Sequence, residues 1–424
     1  MSADRISSSR TGGGIPVAVD RIADCRSAGY MVAVDTGSRD ESEDVLGISH
    51  LLEHVVFRET RNRTSYQMAK EIEGAGGELN AFTGREITAF YAVTIKETKD
   101  VAKEMVADIV AHPLIKEEDV ELEKRIVLQE LSMVRNEPES YIRDLFSENM
   151  WRGHPLSQDE GGPVEIVESL SADDLAEYYA ERYGIPNLAV FAAGDADADE
   201  VAEWAGGAFD GMSGKKASKR REPKRPEAAY NFVGNDSDHL HVGMGVPAFR
   251  PDDDRRIPAL VLSAMLGSGT SSRLFQEVRE KKALVYSVHT VVEQHSDAAA
   301  LVAYMSCTED NVIEAIETVA GIYAHFKAEG VQEGELERTK RLLKGAYVRS
   351  MESTERRMYR LGREYMLTGR CESTEERLEA IEAVTEEDIM EAAGELLRSR
   401  HLNTTVLGKG NGSIRRFDQS HLDI

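Results

Sequence analysis

Apolar positions along the chain recur with two periods, and the order in which these periods follow one another occurs twice. In the first half a strand pattern at Gly29–Asp35 leads to a helical pattern at Gly47–Phe57. A strand pair follows at Glu78–Phe82 and Ala89–Ile95, then a helix from Thr98 to about Ala111 and a long one from about Lys116 to Glu137. Helical segments between Pro138 and Arg182 precede a closing strand, Asn187–Gly194. The second half repeats the order: strand His239–Val246, helix Ile257–Leu266, strands around Val285–Val292 and Ala299–Met305, helices Glu309–Ala328 and Gly334 to about Met351, more helices, then strand Asn403–Gly410.

Ser171–Gly194 and Thr385–Gly408 are parallel phrases. Each opens with a capping Ser or Thr followed by acids and ends in an apolar strand closed by glycine. This predicts an α+β fold: two homologous sandwich-like domains, each a mixed or antiparallel sheet with helices packed on one side, related by internal duplication. The expected organisation is a flexible N-terminus (1–14), a first domain (15–210), an exposed basic linker (211–229), a second domain (230–412) and a C-terminal tail (413–424). The linker, GMSGKKASKRREPKRPEAA, is basic in an acidic chain and carries Pro223 and Pro226 without apolar periodicity. A nucleic-acid or targeting patch is its alternative reading.

Composition narrows the function classes. Of 424 residues, 51 are Lys or Arg and 76 are Asp or Glu, a net charge of −25. Such a surface repels phosphate backbones and anionic membranes and tolerates basic peptides, although solubility alone also explains it. No apolar run reaches the roughly 18–20 residues of a membrane span, and the first residues show no secretory pattern, so a cytoplasmic address is expected. Cys25, Cys307 and Cys371 form no CxxC pair, which suggests neither a disulfide framework nor a thiolate metal site.

The segment His50-Leu51-Leu52-Glu53-His54 carries candidate chemistry. On a helix, Ile48, Leu51, Leu52, Val55 and Val56 share one face, and His50, Glu53, His54 and Phe57 another. Two imidazoles one turn apart can reach one ion, with Glu53 beside them as a possible base; a polar surface stripe is the bland reading. A third ligand is offered by the long helix. Glu130 has Ile126, Val127, Met133 and Val134 as helical neighbours, and a carboxylate in an apolar stripe needs a partner, a metal or else a Lys or Arg. Glu123 lies seven residues earlier on the same face.

With its inverted H-x-x-E-H, the chain resembles the pitrilysin family of zinc metallopeptidases, and within it the short two-domain members related to mitochondrial processing peptidase and bacterial or archaeal processing proteases. The resemblance runs from about Gly14 to Gly410 and includes Gly37–Phe57, Gly76–Tyr91 and Ser271–Val288. It departs after Phe57, where the family often has Lys-Gly-Thr and this chain has Arg58-Glu59-Thr60. The resemblance implies one zinc ion held by His50, His54 and Glu130, Glu53 as general base, and Glu123 orienting a ligand or the substrate amine. It implies pairing of substrate backbone along Asn80-Ala81 by β-augmentation. It also implies that Arg279 and Tyr286 reach the scissile carbonyl. The expected activity is endopeptidase cleavage of short or unfolded peptides, in a homodimer or in a heterodimer with a related chain. The alternative is a non-catalytic peptide-binding or scaffold subunit.

Aligning Lys124-Arg125-Ile126-Val127 with Lys340-Arg341-Leu342-Leu343 sets Ala346 opposite Glu130, and the helix opposite the His helix has no histidine, so the second half is expected to hold no such metal. Gly267–Leu274 lacks the ending of a phosphate loop. His239 and His241 share one face of a strand and are expected to face solvent.

Overall fold

The computed structural model describes residues 5–424. Its strands are β1 (Arg5–Arg10), β2 (Pro16–Arg21), β3 (Ser27–Val34), β4 (Glu78–Thr83), β5 (Thr88–Ile95), β6 (Leu188–Gly194), β7 (Ala229–Gly234), β8 (Leu240–Pro247), β9 (Val285–His295), β10 (Ala298–Cys307) and β11 (Asn403–Gly408). They form two sheets, in the orders β1-β2-β6-β3-β5-β4 and β7-β11-β8-β10-β9. In both, one parallel pair (β2 with β6, β7 with β11) joins a run of antiparallel pairs. The second order therefore repeats the first without β1. The two capping boxes expected from the parallel phrases are both formed, at Ser171 with Asp174 and at Thr385 with Asp388. The α+β duplication read from the pattern is the observed architecture.

The chain divides into two units, and neither is contiguous. Among the described residues, one comprises 5–131, 158–221 and 348–373; the other comprises 132–157, 222–347 and 374–424. These differ from the expected boundaries, 15–210 and 230–412, because each half lends a helix to the other unit's sheet. In the first unit one sheet face packs Val17, Val19, Tyr30, Val32 and Val190 under helices of the first half, among them Ile48–Val56 and Lys99–Ala111. The opposite face presents Ala18, Met31, Ala33, Ala189 and Phe191 to Met358 and Leu361 of helix Thr354–Thr368, which comes from the second half. In the second unit helix Pro138–Met150, from the first half, lays Ile142, Leu145 and Phe146 over Val302, Tyr304 and Leu407. Helices thus flank each sheet on both faces, where one side was expected. The central strands are apolar at nearly every position for this reason, rather than alternating.

Four further expectations are corrected. The segment 1–14 includes β1, which pairs antiparallel with β2 from Arg5↔Arg21 to Arg10↔Pro16. The basic segment is held along part of its length: Ala217 N–H donates to Asn187 Oδ1 (2.8 Å), and the Arg220 guanidinium pairs with Asp35 (2.9 Å) and Asp40 (2.7 Å). Clustered carboxylates, two of them beside the His helix's approach loop, explain why a lone basic stretch folds back here. In the tail, Ile414, Leu422 and Ile424 are buried in the second unit's core. His241 is also buried, and burial pushes its imidazole pKa down, because that sheet face is covered.

Candidate metal centre

Helix Ile48–Val56 is placed by what precedes it. Its N-cap, Gly47, has φ +91°, and a Cβ there would stand 2.6 Å from the Gly161 carbonyl oxygen. No side chain of the cap residue satisfies the first turn. The buried Glu41 carboxylate does so instead, accepting N–H bonds from Gly47 (2.7 Å) and Ser49 (2.9 Å). Ser49 Oγ and Thr36 Oγ1 each lie 2.8 Å from the Tyr178 hydroxyl. Ile48, Leu51, Leu52, Val55 and Val56 are all buried, so the apolar stripe is the anchored face as the sequence predicts.

The other face brings the candidate ligands together. His54 Nε2 lies 3.4 Å and His50 Nε2 3.9 Å from Glu130 Oε2, and one ligand atom from each residue lies within 4.8 Å of the others. Donors at about 2.0–2.1 Å from a tetrahedral ion stand roughly 3.3 Å apart; the His54–Glu130 spacing matches this, and the wider ones close to it with side-chain shifts of about 1 Å. Two imidazole nitrogens and a carboxylate are a zinc donor set with a coordination position left open. The His54 Nδ1–H donates to Glu123 Oε2 at 3.1 Å, and in the neutral ring this leaves the Nε2 lone pair on the side of Glu130. Burial, and then the neighbouring His54, hold His50 down to about 4, so at neutral pH its ring is uncharged and able to ligate. Among the described residues this is the one cluster of its kind.

Glu53 sits between the two histidines in sequence, its carboxylate accepting a hydrogen bond from the Thr83 hydroxyl of β4. Burial pushes its pKa up, Thr83 and His54 oppose this, and Glu130 adds a further upward push. A carboxylate raised in this way is suited to taking and returning a proton. Thr83 went unnoticed in the sequence, although its place at the end of the Glu78–Phe82 strand pattern was available as a signal. Glu41 was also missed; it lies within the family-like stretch Gly37–Phe57.

Glu130 itself is a correction. Its carboxylate is 47% exposed, and Met133 beside it 71%, so no buried apolar stripe frames it. Helix Glu117–Arg135 buries Val120, Glu123, Lys124, Val127 and Leu131, and from Ser132 onward it belongs to the other unit. Its last turns therefore emerge from the packing that encloses Glu123, and the Glu130 carboxylate is left open on one side.

The remaining expected residues lie as follows. Asn80 and Ala81 are on β4, the edge of the first sheet, and Asn80 Oδ1 accepts the Ala81 N–H at 2.8 Å. Arg279 and Tyr286 are in the second unit. The Arg279 guanidinium lies 4.7 Å from the Phe275 ring centre and 5.9 Å from that of Tyr286, whose side chain is 75% exposed and not a core aromatic. Lys124 and Lys340 confirm the alignment of the halves: each is buried, pairs with the glutamate three residues earlier and donates to a main-chain carbonyl, of Glu168 and Glu382 respectively.

The geometry agrees with the comparisons. Residues 17–164 match the family Insulinase (Peptidase family M16), and residues 169–343 match the Peptidase M16 inactive domain. The chain is 32% identical to an uncharacterised zinc protease of Streptomyces coelicolor, over 93% of this chain and 88% of that one. It is also 32% identical to one of Mycobacterium tuberculosis, over 96% and 94%. Two solved structures share its fold with TM-scores of 0.88: a peptidase M16 inactive domain from Pseudomonas fluorescens (16% identity, 95% of this chain, 98% of that one) and a protease from Helicobacter pylori (20%, 95%, 99%). The chain belongs to peptidase family M16, the pitrilysin family, as a short member built of two duplicated domains.

Proposed function

We propose that the chain is a zinc-dependent endopeptidase acting on short or unfolded peptides. The observation that carries this reading is the convergence of His50, His54 and Glu130 within 4.8 Å, beside a half-buried Glu53. Zinc held by these three residues would polarise the scissile carbonyl and bring the pKa of the attacking water to about 7. Glu53 takes the proton from that water as the C–O bond forms. It returns the proton to the amine nitrogen as the C–N bond breaks. Thr83 fixes the carboxylate during both transfers.

The free edge of β4 is the proposed seat of the peptide. The Ala81 N–H is held by its neighbour's side chain, so turning the Asn80 amide offers a donor for a substrate carbonyl. Arg279 and Tyr286 are proposed as donors to the carbonyl oxygen as it gains charge; the exposed phenol supports this. A complete ligand set together with a base favours catalysis over a scaffold role, which uses neither. The test is metal analysis of the purified chain with a peptide-library digest. Close to one zinc per chain and zinc-dependent cleavage are expected; a metal-free chain that cuts nothing after zinc is supplied overturns the reading.

A further inference from the structure

The residue at which the sequence leaves the family pattern stands in the site's supporting structure. Arg58 follows the His helix by two residues. Its Nη1 lies 3.5 Å from Glu123 Oε1 and its Nε 3.6 Å from Asp119 Oδ1. Asp119 and Glu123 are one turn apart on the same helix, a spacing at which two carboxylates repel. Glu123 is buried, only 4% exposed, and its two oxygens face different partners: Oε2 accepts from His54 Nδ1, Oε1 faces Arg58. A buried carboxylate that loses a cationic partner keeps an uncompensated charge and is drawn toward water. Arg58 is therefore placed to hold Glu123 in the orientation that receives the His54 N–H, and through it the ring orientation of a candidate ligand.

We propose that Arg58 is a positioning residue of the metal centre, acting on His54 through Glu123. The proposal rests on the reading of His50, His54 and Glu130 as ligands. It assigns a task to the guanidinium that a ligand list omits: the chain Arg58–Glu123–His54 sets which imidazole nitrogen faces Glu130. The role is specific to charge and reach, so lysine serves and an uncharged side chain does not. Asp119 touches no ligand, and its removal leaves the centre intact.

The experiment measures zinc affinity by competition with a chelator, on the full chain, for Arg58→Ala, Arg58→Gln, Arg58→Lys, Asp119→Asn and Glu123→Gln. Loss of a partner behind a ligand typically costs about 10–100-fold in metal affinity. Arg58→Ala and Arg58→Gln are expected to weaken zinc binding by about tenfold, and Arg58→Lys and Asp119→Asn by less than about threefold. In a Glu123→Gln background, Arg58→Ala is expected to add less than about threefold, because both act through one chain. A second readout needs no metal. Imidazole nitrogen spectra of the metal-free chain are expected to show His54 as the Nδ1–H tautomer, and a mixture of tautomers in Arg58→Ala. Equal losses for Arg58→Ala in both backgrounds, or an unchanged His54 spectrum, overturn the proposal. A wild-type chain that binds no zinc defeats the ligand reading instead, and the tautomer measurement still decides the role of Arg58.

Discussion

Replacing Phe146 by alanine tests the exchange of helices between the halves. Phe146 is encoded before the middle of the chain, yet it is fully buried on the sheet of the second unit. Two glycines of β8 make room for it: a Cβ at Gly243 would stand 3.0 Å from Phe146 Cδ2, and one at Gly245 2.9 Å from Cζ. The ring also meets Tyr304 edge-on at 6.0 Å. Removing a buried phenylalanine costs about 3–5 kcal/mol, towards the upper end where the site cannot collapse. Here the vacated space is floored by β-sheet backbone, so little collapse is available. Multi-domain unfolding gives no single free energy, so the assay is native-state hydrogen exchange followed by mass spectrometry. The loss corresponds to protection lowered by roughly two to nearly four orders of magnitude in β8, β10 and β11, with β3 and β6 unchanged. Loss of protection in β3 and β6, with β8 unaffected, would refute the packing described.

Burial raises the Glu41 carboxyl from its ordinary 4.5 to about 7, against the N–H bonds it receives. The folded chain then holds this proton more tightly than the unfolded chain. The stability it contributes is full below pH about 4.5 and falls away as pH rises to about 7, by on the order of 3 kcal/mol. Glu41→Gln is expected to abolish that slope in the denaturant midpoint of the first unit's own transition, compared at pH 5 and 8; parallel slopes in both proteins would contradict it. Tyr286→Phe is expected to keep zinc and fold and to lower kcat by at least about tenfold with little change in KM, and wild-type rates for both Tyr286→Phe and Arg279→Ala would remove these residues from the mechanism. With a chain of net charge −25, cleavage of basic peptides is expected to slow as salt rises, and rates independent of ionic strength would show that charge plays no part in capture.

Much of this was legible in the sequence, for identifiable reasons. The His helix could be read because its apolar stripe and its chemical stripe are both local, separated by 100° steps along nine residues. The duplication could be read because each half repeats capping residues and strand patterns in the same order. The exchange of helices could not. Ile142, Leu145, Phe146 and Met150 announce a buried helix, but an amphipathic stripe does not say which sheet it covers. The same missing information misplaced His241, whose strand face is solvent-exposed only if no helix arrives there. Glu130 was identified as a ligand candidate by an argument from burial that the structure does not bear out, since the helix emerges from its packing before that residue. Arg58 showed itself only as a departure from a pattern; its contact with Glu123 joins positions 65 apart in sequence.

The proposed chemistry divides its labour within His50–His54. Glu53→Gln, His50→Ala and His54→Ala should be purified side by side, and zinc content and peptide turnover measured on the same samples. The two histidine variants are expected to lose the metal. Glu53→Gln is expected to retain about one zinc per chain and to lose turnover by several orders of magnitude, because a base is removed and no ligand is. A Glu53→Gln protein that cuts peptides at the wild-type rate, or one purified without zinc while wild type holds it, would contradict the assignment of Glu53 as the proton carrier beside a three-ligand zinc site.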